Sequence, residues 1–189
     1  SFPINGRKVY RRTSAYDGNP VTITPPSGAK FEGRDSISLY GKYSYVEIER
    51  ISATVFAIKD LNDSGTFTPT IAFDGQSVGV TYASRVGRYV KSGGVLHFWT
   101  IIILTSKGTS EGRLSVSGLP QKSASSTCAI FSLLSNNMTF GGYPVAYMSS
   151  GKTGDIIFES ENSDGTYTTI TNVHCTNNLG LYITGMYEI

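Results

Sequence analysis

The acidic residues Asp155, Glu159 and Glu161 lie close together in the sequence. Paired carboxylates are the groups with which glycosidases provide a general acid and a base or nucleophile. Closeness along a strand and its turn does not create a cleft, however, and acidic side chains are mostly solvated at protein surfaces. We therefore interpret these three residues as surface charges and predict no catalytic residue among them.

The adjacent residues His174 and Cys175 are of types that bind metal ions. Neighbouring residues of a strand point to opposite faces, so this pair is poorly placed to bind one ion. The sequence also lacks a P-loop, a Gly-x-Ser-x-Gly nucleophile elbow and a Gly-x-Gly-x-x-Gly dinucleotide motif. We predict no metal site and no cofactor, and we expect no enzymatic activity from this chain.

Two segments have the composition of a binding surface. Tyrosine combines an apolar ring with a polar hydroxyl, and loops rich in Tyr, Asn, Ser and Gly suit recognition of carbohydrates or adaptable recognition of proteins. The first candidate is a long polar loop at residues 135–143, in which Asn136, Asn137 and Tyr143 are the predicted ligand contacts. A second loop supplies Tyr82 and Arg85. The alternative is that both segments are ordinary surface loops, with tyrosines packed at a subunit interface.

The stretch at residues 95–105 is the clearest structural element. It is rich in β-branched and aromatic residues, and it follows residues 85–91 across a turn containing Gly93 and Gly94. This pattern is typical of a β-hairpin.

Alternate side chains of that stretch point to opposite faces, and both faces are apolar. One face carries Trp99 and Ile101, and the other carries Phe98 and Ile102. Antiparallel sheets commonly leave one face wet, so both faces here need cover. We expect a second sheet to cover one face and a partner subunit to cover the other.

Most of the remaining sequence alternates between short strands and turns, at a spacing of about ten residues. The pattern predicts an all-β protein with a jelly-roll-like β-sandwich. We predict separate strands at residues 77–82 and 85–91, and a hairpin turn at residues 162–165. The polar residues 60–65 are interpreted as a break between modules, so we predict a small β stem or linker module at 1–62 and a sandwich domain at 63–189.

Composition limits the class of protein further. The chain has 189 residues, a formal net charge of +2 and 16% charged residues, with 21 glycines and 12 tyrosines. This near-neutral charge argues against binding nucleic acid through its phosphates, and we see no apolar run long enough to span a membrane. The two cysteines are expected to be buried free thiols. Because the sequence begins Ser-Phe-Pro, we expect it to be part of a longer protein.

Residues 66–189 resemble the C-terminal domains of tailed-bacteriophage tail fibres and tailspikes. The resemblance rests on Gly-Val-Thr-Tyr at 79–82, Leu-Thr-Ser-Lys-Gly at 104–108, Ser-Gly-Leu-Pro at 117–120 and the closing segment 182–189. The earlier residues resemble, more loosely, the β-modules that link a spike body to such a tip.

The resemblance implies a homotrimeric, jelly-roll-like tip that stabilises the trimer, located in the phage tail of the virion after assembly in the host cytoplasm. It also implies a contribution to binding host cell-surface polysaccharide, such as capsule or O-antigen, with any depolymerase activity in an upstream region. The family pattern fixes no ligand residue. The alternative function is a purely structural cap with no ligand of its own.

Overall fold

The computed structural model describes residues 3–13, 20–120, 128–148 and 154–189. In these residues the protein is all-β, with one short 3-10 turn at Asn172–His174. The strands are β1 (Arg7–Arg11), β2 (Val21–Ile23), β3 (Lys30–Phe31), β4 (Ile37–Leu39), β5 (Tyr45–Arg50), β6 (Val55–Phe67), β7 (Thr70–Phe73), β8 (Val80–Ser92), β9 (Val95–Lys107), β10 (Leu114–Ser117), β11 (Ala129–Met138), β12 (Tyr143–Met148), β13 (Ile156–Glu161), β14 (Tyr167–Thr169) and β15 (Cys175–Glu188).

The chain forms two compact units. The first is Ser1–Gly65 with Val90–Gly94, and the second is Thr66–Tyr89 with Val95–Ile189. The all-β prediction is confirmed, while the division into a stem or linker module at 1–62 and a sandwich domain at 63–189 stays a prediction.

In the first unit, β5 lies between β1 and β6 in an antiparallel ladder. Strand β3 adds to β6 in parallel, and β2 pairs with β4 in a separate two-stranded sheet. A small apolar core forms where alternate residues of these strands meet, and its buried members are Ile23, Ala29, Phe31, Ile37, Leu39, Val46, Ile48 and Phe56.

The boundary between the two units falls after Gly65, but residues 60–65 do not interrupt the strand and instead continue β6. Asp63 is only 1% exposed, although its residue type favours turns. Its Oδ1 atom accepts hydrogen bonds from the backbone N–H of Tyr40 (2.9 Å), the N–H of Gly41 (3.1 Å) and the hydroxyl of Ser44 (2.7 Å). These bonds satisfy the buried carboxylate and let a polar sequence run as a strand.

In the second unit, the strand order of the antiparallel sheet is β8-β9-β15-β11-β12-β13-β10-β7, with β14 added to β13. Strand β11 changes neighbours along its length. Residues 129–131 pair with β12, whereas residues 132–138 pair with β15. The sheet therefore curls at β11 and encloses one core.

Phe98 on β9 is the centre of that core. It makes edge-on ring contacts with Phe67, Phe131 and Tyr187, at centroid distances of 6.4, 5.1 and 6.1 Å. Edge-to-face pairs of this kind stabilise a core beyond the burial of their area.

The hairpin predicted at Gly93 and Gly94 is confirmed. Strand β8 ends at Ser92 and β9 begins at Val95, and the two glycines have φ angles of 59° and 81°. A two-residue turn with positive φ at both positions matches the twist of the flanking strands. The separate strands predicted at 77–82 and 85–91 are wrong, because both lie largely within the continuous strand β8.

Both cysteines are free, but only Cys175 is buried. The prediction that both thiols are buried is therefore wrong for Cys128, which is exposed. Burial raises the pKa of the Cys175 thiol to about 11, so this group stays protonated and unreactive at neutral pH.

Candidate functional site

A groove in the second unit brings together two of the predicted ligand contacts. Its volume is about 500 Å3, which is within the range of small-ligand sites. The lining residues come from β7, β8 and the segment between them: Thr70, Ser77, Val80, Thr81, Tyr82 and Arg85. All except Val80 carry a polar side-chain group, so the groove suits a hydroxyl-rich ligand.

Tyr82 and Arg85 are held together inside this groove. The backbone N–H of Ile71 donates a hydrogen bond to the Tyr82 hydroxyl oxygen at 2.9 Å. The Arg85 guanidinium lies 4.4 Å from the centroid of the Tyr82 ring, and its Nη1 donates to the Thr70 hydroxyl at 3.4 Å. A guanidinium has five N–H donors, so Arg85 retains donors for carboxylate or hydroxyl oxygens of a ligand.

The loop predicted around Tyr82 and Arg85 is wrong, because both residues lie on strand β8. Regular alternation would place residues three apart on opposite faces. Arg85 and Val86 are both exposed, however, so alternation is interrupted there.

The long loop predicted at residues 135–143 is also wrong. Strand β11 continues to Met138, and the connection to β12 is shortened to residues 139–142. Asn137 has a φ of 60° and lies at an irregularity in the pairing of β11 with β15. Its side-chain amide donates a hydrogen bond to the Asn178 carbonyl at 2.9 Å, so this amide stabilises the bulge.

The other two residues of that group lie on different ladders. Asn136 is exposed and pairs with Gly180 of β15. Tyr143 is 80% exposed and pairs with Glu161 of β13. The ladder between β11 and β12 does not extend to either residue. The five predicted contacts therefore lie at separate positions on the unit, and of these five only Tyr82 and Arg85 line the same groove.

Sequence reasoning missed the groove residues Thr70, Ser77 and Thr81. They are small polar residues of ordinary types, and only their position next to Tyr82 distinguishes them. Thr70 reaches the groove because β7 lies close enough for the Ile71 backbone to bond Tyr82. No short sequence motif encodes that contact.

His174 and Cys175 both form hydrogen bonds with Thr171. The Nδ1 atom of His174 accepts a hydrogen bond from the Thr171 backbone N–H at 3.0 Å, and the Cys175 thiol donates to the Thr171 carbonyl at 3.5 Å. Burial, followed by a hydrogen bond to Glu159, raises the pKa of Tyr147 to about 12. Within the described ranges, no group of three or more His, Cys, Asp or Glu residues is placed to hold a metal ion.

One surface of the second unit is apolar and exposed. It consists of Trp99 and Ile101 on β9, Met186 on β15 and Leu134 on β11, which are 45%, 36%, 59% and 62% exposed. We call these four residues the outer face.

Strand register places these side chains on one side of the sheet. Ile101 pairs with Tyr182, and Tyr182 pairs with Leu134. Trp99, two residues from Ile101, points the same way, and the Arg88 guanidinium lies 5.6 Å from its ring. The residue between Trp99 and Ile101, Thr100, is buried. The alternation predicted for residues 95–105 is thus confirmed.

In the part of the chain that the structure describes, no helix is long and apolar enough to cross a membrane. No family model matches the sequence, and no curated protein matches it.

A search of solved structures finds a similarity to the crystal structure of Dettilon tailspike protein (gp208), with a TM-score of 0.57. The two chains are 20% identical, and the match covers 67% of this chain and 24% of the tailspike. This likeness indicates a tailspike-related fold, and the matched part of this chain spans about a quarter of that protein's length.

Proposed function

We propose that this chain is the C-terminal part of a bacteriophage tailspike or tail fibre. In this proposal it forms a jelly-roll-like tip that stabilises a homotrimer, and it contributes to binding of host cell-surface polysaccharide. The observation that carries the proposal is an exposed apolar face on a fold similar to that of a tailspike.

The outer face supports the assembly role. Soluble monomers rarely expose contiguous apolar patches of large area, and patches rimmed by polar residues mark interaction sites. Trp99 and Ile101 are exposed neighbours on one face of β9, and Tyr182 pairs with Ile101. The polar Thr184 pairs with Trp99, Met186 pairs with His97, and Arg88 lies against the Trp99 ring. A closed cyclic assembly buries a patch of this kind without leaving it free to polymerise.

The groove at Tyr82 and Arg85 supports the adhesive role. Its polar lining offers hydroxyl groups and a guanidinium to a sugar, and the guanidinium favours sugars that carry carboxylates. Three copies on one rigid trimer would raise weak binding through high effective concentration. Asn136 and Tyr143 remain proposed as polysaccharide contacts outside this groove, because both are exposed. Asn137 remains proposed as a weaker one, because its amide is engaged with Asn178.

The second candidate function is a structural cap with no ligand. The outer face supports this second function equally, since a structural cap needs only a partner subunit. In both readings we propose no catalytic role for this chain, and any depolymerase activity belongs to another part of the tailspike.

Capture on an array of purified bacterial capsular and O-antigen polysaccharides tests the adhesive role. We expect the protein to bind members that contain uronic acids, and Arg85→Ala to weaken that binding about tenfold. Arg34→Ala removes an exposed arginine of the first unit and serves as the matched control. A protein that binds no array member contradicts the adhesive role and leaves the structural cap.

A further inference from the structure

Three strands of the second unit place two exposed tyrosines on either side of a carboxylate. Tyr143 of β12 pairs with Glu161 of β13, and Glu161 pairs with Tyr167 of β14. Directly paired residues of antiparallel strands project from the same face of a sheet. The side chains of Tyr143, Glu161 and Tyr167 therefore form one row, which we call the tyrosine row.

The rings of this row are open to solvent. Tyr143 is 80% exposed and Tyr167 is 56% exposed. The opposite face of the central strand β13 is buried, with Phe158 and Ser160 at 0% and 1% exposure. The row therefore lies on the outer surface and leaves aromatic faces available to a partner.

The spacing of the row suits a chain of sugars. Neighbouring strands lie about 4.8 Å apart, so the Cα atoms of Tyr143 and Tyr167 are about 10 Å apart across β13. Sugar rings stacked on the two tyrosines would flank one further ring above Glu161. The row thus has the length of a short stretch of polysaccharide.

Local contacts fix the backbone next to both tyrosines. A side chain at Gly142 would overlap the Glu161 carbonyl, so this glycine allows the chain to enter β12 close beside Glu161. The predicted hairpin turn at residues 162–165 is confirmed, and Asp164 Oδ1 accepts hydrogen bonds from the Thr166 N–H and hydroxyl at 2.9 and 2.6 Å. A surface held in place before binding loses less entropy when a ligand docks.

The charge of the row selects the type of sugar. Within the described residues, no ion pair involves Glu161, so its carboxylate is available as an acceptor for sugar hydroxyls. Glu159 lies on the same face two residues along β13 and adds a second negative charge. Two carboxylates disfavour acidic sugars, in contrast to the Arg85 groove.

We propose that the tyrosine row is a binding site for a neutral oligosaccharide segment. Tyr143 and Tyr167 stack against the C–H faces of two sugar rings, and Glu161 accepts hydrogen bonds from hydroxyls between them. This proposal rests on the proposed adhesive function, and it names a second site with a different sugar preference from that of the groove.

The same polysaccharide array tests this site with Tyr143→Ala/Tyr167→Ala and with Glu161→Gln. We expect the double variant to lose about tenfold or more in binding to neutral glycans, while binding to uronic-acid glycans is retained. Tyr43→Ala removes another exposed tyrosine, 61% exposed in the first unit, and is expected to bind as the unchanged protein does. Unchanged thermal unfolding of each variant shows that the fold is intact.

The outcomes separate the two proposals. Neutral-glycan binding that survives the double variant, or a protein that binds only acidic glycans through Arg85, overturns the tyrosine row and leaves the adhesive function standing. A protein that binds no glycan at all overturns both.

Discussion

Phe98 and Trp99 are neighbours in the chain and have opposite roles. Phe98 is 2% exposed at the centre of an aromatic core, whereas Trp99 is 45% exposed. The sequence predicted this division, because alternation in a strand is a local rule. It did not predict which of the two apolar faces would be buried, since that depends on where β15 and β11 are placed.

The surroundings of Tyr147 raise the pKa of its hydroxyl group. Burial is the larger cause of its raised pKa, and the hydrogen bond to Glu159 is the next. Both favour the neutral hydroxyl in the folded protein. The stabilisation from this group is therefore complete below pH 10, the usual tyrosine pKa, and is lost as pH rises through about 12.

We predict that Tyr147 ionises near pH 12 in the folded protein and that Tyr147→Phe lowers the absorbance change near that pH by the amount expected for one tyrosine. Ultraviolet absorbance of tyrosinate, followed during a base titration, measures it directly. Tyr143→Phe is the control, because this neighbouring residue on the same strand is exposed. A titration near pH 12 with the same amplitude in Tyr147→Phe would contradict the assignment.

At the scale of strands, the sequence predicted elements better than their connections. The hairpins at Gly93 and Gly94 and at residues 162–165 were predicted because glycine-containing turns are local signals. The strand at residues 60–65 could not be predicted, because the hydrogen bonds that Tyr40, Gly41 and Ser44 donate to Asp63 come from a distant segment. The tyrosine row was not predicted either, since it depends on cross-strand register.

Strand β15 contains two glycines whose surroundings differ. A Cβ atom at Gly185 would overlap the Phe131 ring, whereas a Cβ atom at Gly180 would lie 3.6 Å from the nearest atom, in Asn136. Neither glycine has a positive φ. The close approach of Phe131, which also packs on Phe98, therefore explains glycine at 185.

We predict that Gly185→Ala lowers the free energy of unfolding by about 1–3 kcal/mol through overpacking. Gly180→Ala on the same strand is the matched control and is expected to change stability by less than about 1 kcal/mol. Denaturant unfolding monitored by intrinsic fluorescence compares the two. Equal effects of the two substitutions would show that contact with Phe131 does not require the glycine.

At the scale of the whole molecule, the exposed outer face supports the proposed trimer. Residues 95–105 led to the expectation of a subunit neighbour, and the structure leaves Trp99 and Ile101 of that stretch exposed. The groove could be predicted only in part. The side-chain types of Tyr82 and Arg85 indicate ligand binding in the sequence, but their partner Thr70 comes from another strand.

The most direct test of the proposed homotrimer is the native mass of the purified protein, measured by light scattering after size exclusion. For the proposed homotrimer we expect a mass three times the 20.4 kDa of one chain. It also predicts that Ile101→Glu, which places a charge on the outer face, yields a folded monomer. A stable monomer of the unchanged protein at micromolar concentration would contradict the proposed homotrimer and indicate a self-contained domain.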